Sequence, residues 1–225
     1  MGIRIGRILA IGIPLGIVCG VLKSFFQISN EEFWKYYIVI GIAVIIFSVL
    51  INIAYQVRFS KKLNALINDF LKDGDANHFI SENQKLLAKT KMKFHRALIF
   101  INLSAGYSDK EDFITAKQML LQVSEKHLRG INKIVYYISL SYIHFRLLEI
   151  QEALDLMRLW DKQLSDLQEH QKLGGHIAIL KIFELIYTDQ LEQAHFLLST
   201  SKEKWTDSRL KTAWDYQQNL IDGGR

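Results

Sequence analysis

Proline and cysteine are nearly missing from this 225-residue sequence, and each shortage excludes a class of structure. The one proline, Pro14, lies in an apolar run near the N-terminus, so the rest of the chain lacks the residue that most often interrupts helices. Such a chain favours long helices over many short strands. The one cysteine, Cys19, lies in the same run and has no partner, which excludes a disulfide framework and a cysteine zinc site.

The sequence also lacks the recurring motifs of catalysis and metal binding. It contains no glycine-rich phosphate loop and no Gly-x-Ser-x-Gly nucleophile motif. None of the seven histidines lies four residues from another, as a helical zinc pair requires. We therefore expect a protein that is not an enzyme and that needs no metal and no cofactor.

The sequence does have long apolar runs near its start. Two runs, at about 8–26 and 38–55, each approach the length of helix that spans a hydrocarbon core. A secretory signal peptide is the alternative for the first run, but no small-residue cleavage site follows it and the second run comes at once. The sequence thus predicts a transmembrane hairpin over residues 1–57 and a separate domain over residues 58–225.

Basic residues predict how this hairpin is oriented. Positive charge favours the cytoplasmic side, and more of it flanks the outer ends of the two runs than lies between them. We therefore predict a multi-pass protein of the bacterial inner (plasma) membrane with both termini in the cytoplasm. The flanking residues are Arg4, Arg7, Arg58, Lys61 and Lys62, against Lys23 and Lys35 between the runs.

The basic residues after the second run also predict a contact with lipid. Residues 56–96 contain nine Lys or Arg and four Asp or Glu, whereas residues 97–225 contain 15 and 17. This excess next to the bilayer suits anionic headgroups, and we expect Arg58, Lys61 and Lys62 to lie at the membrane surface. A nucleic-acid-binding domain would carry a basic stripe over its whole length, so we expect no nucleic-acid partner.

Gly12, Gly16 and Gly20 recur every four residues in the first run and place small residues on one helix face. Such a face lets another helix approach closely. Two alternatives follow: packing against the second span near Gly41, or association with a second copy or with a partner's transmembrane helix.

After Arg58 the apolar residues follow a helical period to the end of the chain. Helices are predicted at about 76–89, 92–107, 112–127, 131–147, 150–168, 173–187, 190–202 and 207–221, after an amphipathic segment at 63–71. No stretch alternates with period two. The sequence therefore predicts an all-α fold of antiparallel helix pairs.

Two of these predicted pairs share a residue pattern, and a third copy centres on Ala194. The first pair has Phe100-x2-Leu103-Ser104-x2-Tyr107 and then Ala116-x3-Leu120, and the second has Tyr137-x2-Leu140-Ser141-x2-His144 and then Ala153-x3-Met157. The pattern resembles the tetratricopeptide repeat (TPR), although the alanines are 37 and 41 residues apart where the family repeats at 34, and no helix-ending proline follows. The resemblance implies a TPR-like solenoid after the transmembrane hairpin, with His144 as a packed or hydrogen-bonded core residue.

The resemblance also implies that the first helix of each pair lines a concave groove. The groove residues that it implies are Ile101, Ile138, Tyr142, Phe145, Arg146, Ile179, Phe183 and Tyr187. If this aromatic groove is open, it suits an apolar segment or an amphipathic helix. The alternative is that a compact bundle, or the last helix with Trp205 and Trp214, fills it.

These observations predict a membrane-anchored, non-catalytic scaffold or adaptor that binds a protein partner through the groove. A second hypothesis is a small accessory or immunity subunit that docks on a transporter or toxin through its transmembrane helices. On either hypothesis the glycine face offers a route to a homo-oligomer.

Overall fold

The computed structural model describes residues 5–25 and 29–223, and all regular structure in these two ranges is helical. The predicted all-α class is thereby confirmed. Two 3-10 helices, Glu125–His127 and Ser208–Leu210, accompany the α-helices. The α-helices are α1 Ile5–Phe25, α2 Asn30–Asp73, α3 Ala76–Lys89, α4 Lys93–Asp109, α5 Phe113–Leu121, α6 Ile131–Arg146, α7 Ile150–Leu159, α8 Asp161–Asp166, α9 Gly174–Tyr187, α10 Leu191–Lys204 and α11 Lys211–Ile221.

The chain divides into two compact units, Met1–Lys61 and Lys62–Arg225, which we call the N-terminal unit and the helical unit. The division falls within α2, a single helix of 44 residues. The predicted second span and the amphipathic segment after it are therefore parts of one helix. This continuity follows from the sequence, since no proline or glycine lies between Gly41 and Gly74.

The apolar part of α2 is not buried among the described residues. In its most apolar 18-residue window none of the residues is buried, and Ile45, Phe47 and Ile51 are each more than half exposed. By length and composition, α2 is the one helix among the described residues that could cross a membrane. The apolar part of α1 at Gly16–Phe25 is shorter, and Phe26, the predicted end of the first span, lies outside the described residues. The two-span hairpin stays a prediction.

In the helical unit, neighbouring helices pack in pairs. The pairs are α3 with α4, α4 with α5, α6 with α7 and α9 with α10, while α11 packs on both α9 and α10. Buried side chains form two cores, one built mainly by α4, α5 and α6 and the other by α6, α7, α9, α10 and α11. Helix α9 is apolar nearly all round and is buried accordingly, with Ile177, Ile182 and Phe183 at most 2% exposed.

Three of the turns between helices have the same backbone arrangement. In each, a residue with positive φ precedes the residue that caps the second helix, and the amide of that cap donates to a carbonyl five residues earlier in the first helix. These bonds satisfy carbonyls that the helix end would otherwise leave free. The positive-φ residues are Glu111, Leu148 and Asp189, and the bonds are Asp112 N to Tyr107 O (2.9 Å), Glu149 N to His144 O (2.9 Å) and Gln190 N to Leu185 O (2.8 Å).

Two predicted helices are shorter in the structure than the periodicity indicates. The predicted helix 112–127 ends at Leu121; Val123 is then buried in the core of α4, α5 and α6, and a 3-10 helix follows at Glu125–His127. The predicted helix 150–168 breaks at Trp160, whose ring stacks on Tyr137 with centroids 4.3 Å apart. In both places tertiary packing of one apolar side chain outweighs local helix preference.

Candidate functional site

The structure brings the predicted groove residues of α6 and α9 together and buries most of them, whereas Ile101 belongs to the other core. Phe145 and Phe183 are fully buried and their rings stack with centroids 5.0 Å apart. Tyr142, Arg146 and Tyr187 are half-buried at the edge of this cluster. The remaining predicted residues, Ile101, Ile138 and Ile179, are also buried.

Helix α11 covers the α6–α9 part of the predicted groove. Its Gln217 side chain is fully buried and donates to the backbone carbonyl of Ile179 at 2.7 Å. Its Tyr216 ring lies 6.0 Å from that of Phe183, and Trp214 is 4% exposed. The aromatic surface is therefore occupied by the chain's own C-terminal helix, as in the second of the two alternatives for the groove.

Arg146 joins this C-terminal helix to the first repeat-like pair. Its guanidinium lies between the rings of Phe113 and Tyr216, with centroid distances of 4.3 and 4.2 Å. It also donates to the Tyr142 hydroxyl at 2.9 Å and pairs with Glu111 at 3.3 Å. A cation between two aromatic rings is attracted by both π faces, and the side chain of Arg146 is only 8% exposed. Arg146 therefore holds α11 against α5 and α6 and is not free to bind a partner. We call this set of contacts, with Phe113, Tyr142, Tyr216 and Glu111, the clasp.

A pocket of about 220 Å³ remains open beside α11, between α4, α6 and α9. Ala105 and His176 are exposed in its wall, Ser139 and Tyr142 are half-buried, and Arg209 stands at the start of the last helical segment. The pocket combines apolar wall with hydroxyl, imidazole and guanidinium groups, which is the usual composition of a protein site that binds a polar ligand group.

The electrostatics of the pocket depend on Arg209. The residue His176 keeps solvent-accessible surface, but desolvation by the pocket walls lowers the pKa of its imidazole and the Arg209 charge lowers it further. Desolvation raises the pKa of Asp109, and Arg209 opposes that effect. At pH 7 the pocket therefore presents a neutral imidazole next to a permanent positive charge, which Asp207 partly balances through its pairing with Arg209.

A second polar cluster ties the turn between α6 and α7 to α5. Glu149 accepts from Lys117 at 2.6 and 2.7 Å and lies 2.6 Å from Nδ1 of His144. The Lys117 hydrogen bond and, more weakly, the His144 hydrogen bond lower the pKa of Glu149. The prediction of a hydrogen-bonded His144 is confirmed. The cluster links α5 to the turn between α6 and α7 and so stabilises the packing of these helices.

The predicted membrane-facing residues all lie in the N-terminal unit or at its border. A Cβ added to Gly16 or Gly20 would meet nothing within 4 Å, and the same holds for Gly41. The glycine face is therefore unoccupied at the two positions that can be assessed, whereas the surroundings of Gly12 lie outside the described residues. Arg58, Lys61 and Lys62 are exposed on α2.

Sequence reasoning missed Glu111, Arg209 and Tyr216, which complete the clasp and the pocket. Glu111 lies in a turn, where no periodic pattern assigns a position. Arg209 lies in the 3-10 helix before α11, and Tyr216 lies on α11, whose docking place cannot be derived from its own sequence. The aromatic residues of the last helix were the one available signal. Among the described residues no group of three or more His, Cys, Asp or Glu could hold a metal ion.

Comparisons with protein-family models, with curated proteins and with solved structures found no match for this chain. The functional conclusion therefore rests on the geometry of the chain itself.

Proposed function

We propose that this chain is a membrane-anchored, non-catalytic adaptor whose two transmembrane helices hold a TPR-like domain at the cytoplasmic face of a bacterial inner membrane. The domain binds a protein partner on the concave side of its helix pairs. The observation that carries the proposal is the continuity of α2: this one helix continues from an exposed apolar stretch into a folded helical unit. An apolar helix whose side chains the protein does not bury is stable in a bilayer and unfavourable in water.

The TPR-like character is supported by two spacings that agree. The positive-φ residues of the three matching turns are 37 and 41 residues apart, as are Ala116, Ala153 and Ala194. Each of these alanines is fully buried, as the close helix approach in such repeats requires. Three helix pairs that are joined in the same way are what a solenoid of degenerate repeats would contain.

The open pocket, and not the aromatic cluster, is the proposed contact site for the partner. The aromatic cluster already packs against α11, whereas Ala105 and His176 still face solvent. Because the anchor keeps the domain close to membrane partners, modest affinity at this pocket suffices for recruitment.

A crosslinked capture from membranes tests this proposal. Ala105→Arg places a long side chain at the pocket wall, and Ser199→Arg places the same side chain at an exposed position of α10 outside the pocket. We expect a specific partner to be captured by wild type and by Ser199→Arg and to be lost with Ala105→Arg. Equal capture by all three chains would refute the pocket as the contact site.

The second candidate function is an accessory or immunity subunit that docks on a transporter or toxin within the bilayer. The open surface at Gly16 and Gly20 favours this candidate. The same face would serve a homo-oligomer. Gly16→Ile/Gly20→Ile should abolish capture on this hypothesis, while the matched exposed pair Val18→Ile/Val21→Ile should not. Capture that survives the glycine substitutions would leave the pocket as the site.

Topology is tested separately with a single-cysteine chain. After Cys19→Ser, a cysteine placed at Ser29 should react with a membrane-impermeant thiol reagent in intact cells, and one placed at Asp222 should react only after lysis. The reverse result would contradict the proposed orientation of both termini.

A further inference from the structure

The turn between α3 and α4 carries three lysines for which the described residues supply no ion-pair partner. Lys89, Lys91 and Lys93 are exposed, and among the described residues none forms an ion pair or hydrogen bond with their ammonium groups. The neighbouring cations differ, since Lys85 pairs with Glu82 at 2.6 Å and Arg96 donates to backbone carbonyls at the end of α3. We call Lys89, Lys91 and Lys93 the basic turn.

The sequence around the basic turn concentrates this charge. From residue 83 to residue 108 there is no Asp or Glu, so no acidic side chain close in sequence neutralises the three lysines. Met92 and Phe94 alternate with the lysines and are half-buried, which leaves part of each apolar side chain in contact with solvent. Basic residues interleaved with accessible apolar ones are typical of surfaces that rest on a lipid headgroup layer.

Within the helical unit, α3, which leads to the basic turn, makes two contacts with the last part of α2. The rings of Phe70 and Phe79 stack with centroids 4.3 Å apart, so α3 begins beside the end of α2. Further along α3, the Lys85 hydrogen bond lowers the pKa of Glu82, and the charge of Lys62 contributes a smaller part of that effect. The start of α3 thus lies beside Phe70, and Glu82 lies within electrostatic range of Lys62.

The turns at the two edges of the helical unit differ in charge. Because consecutive helices joined by short turns run antiparallel, alternate turns share an edge. The edge of the basic turn also carries Lys126 and Arg129, and its Glu125 is engaged by Tyr137. The connection between α7 and α9 at this edge is mixed, with Asp161, Asp166 and Glu169 against Lys162 and Lys172. The turns of the opposite edge carry mainly acidic residues: Asp73, Asp75, Asp109, Glu111, Asp112, Glu149 and Asp189.

We propose that the basic turn is a second membrane contact, which binds the headgroups of anionic phospholipids. The inference rests on the proposed membrane anchoring and goes beyond it, because it assigns a lipid-binding surface to the folded helical unit. The ammonium groups attract the anionic phosphates of phosphatidylglycerol-type headgroups. Each lysine close to such a surface increases the binding constant by about fivefold. Met92 and Phe94 then insert their exposed parts at the headgroup level.

The full chain in lipid nanodiscs provides the test. One set of discs contains phosphatidylcholine alone, and the other contains equal parts of phosphatidylcholine and phosphatidylglycerol. The rate at which a water-soluble reagent acylates each lysine is measured by mass spectrometry. We expect acylation of Lys89, Lys91 and Lys93 to slow by at least about fivefold in the anionic discs and to recover in about 0.5 M salt, because salt screens the contact. Lys110, exposed at the opposite edge, should react equally in both discs.

Charge-removing variants separate this contact from general effects of the lipid. In Lys89→Gln/Lys91→Gln/Lys93→Gln, the hydrogen exchange of Met92 and Phe94 amides should lose its dependence on the lipid, whereas in Lys110→Gln it should keep it. Equal acylation of the basic turn in both discs would overturn the inference. So would protection that appears only when RNA or an acidic protein is added. A chain that fails to copurify with the discs would instead overturn the anchoring and the inference together.

Discussion

Replacing Arg146 by alanine should destabilise the helical unit by about 3 kcal/mol. Two ring contacts at 4.2–4.3 Å in a largely desolvated site contribute about 1–2 kcal/mol each, and the hydrogen bond to Tyr142 contributes about 1 kcal/mol. The ion pair with Glu111 adds less, because that carboxylate is 59% exposed. The cost of desolvating the guanidinium offsets part of the sum.

Hydrogen exchange of the full chain in detergent measures this loss at the place where it acts. Because Arg146 holds Tyr216, the amides of α11 should exchange about 100-fold faster in Arg146→Ala, while amides of α3 should change much less. Arg146→Lys keeps the charge but loses the planar stacking surface, so it should recover less than half of the loss. Glu111→Gln should cost less than 1 kcal/mol.

The clasp would be refuted if Arg146→Ala cost no more than Glu111→Gln, or if Arg146→Lys restored full protection of α11. The first result would mean that the ring contacts contribute nothing measurable. The second would mean that charge alone, and not the stacked geometry, holds the C-terminal helix.

Three further predictions concern backbone, packing and pH. Leu148 has a φ of 59° and is 66% exposed, so Leu148→Gly should raise the free energy of unfolding by about 0.5–1 kcal/mol. Leu147 has a negative φ, so Leu147→Gly should lower the free energy of unfolding. Urea denaturation compares the two variants. Gly174→Ala should cost about 2–4 kcal/mol by the same assay, because its Cβ would clash with the Trp205 ring and with the backbone oxygen of Gln168. A cost below about 1 kcal/mol would contradict this close approach. Burial lowers the pKa of His95, so the unfolded chain binds a proton at this imidazole more readily than the folded chain. The free energy of unfolding should therefore fall by up to about 1.4 kcal/mol per pH unit as the pH drops below about 6.5. In thermal melts, a His95→Gln chain should show a flatter dependence of stability on pH.

Helical periodicity predicted most of the helical unit because each helix buries one face locally. The predicted helix at 76–89 coincides with α3, and the breaks near Glu149 and Thr188 correspond to turns in the structure. These features depend on residues close in sequence, such as the Asp75 cap that accepts from the amide of His78. The class of the fold was therefore accessible from one sequence.

The candidate site was predicted less well because it depends on contacts distant in sequence. Phe183 and Phe145 were correctly expected to come together, but their exposure could not be derived, since it depends on where α11 docks. Nothing in the sequence of α11 indicates that Gln217 will reach the carbonyl of Ile179, 38 residues earlier. The charge asymmetry of the two edges was hidden for the same reason, because it appears only when alternate turns are brought to one side.

The position of Tyr142 decides which variants can report on partner binding. Its ring packs against both cores of the helical unit, as do Val135 and Trp160, so these three side chains couple the two halves into one folded body. Tyr142→Ala would remove that coupling and lower stability by several kcal/mol, as large-to-small core changes do. Loss of a partner with such a variant would follow from unfolding as readily as from a lost contact. Ala105, which is exposed and contributes to neither core, is the position at which a change in binding can be attributed to the pocket itself.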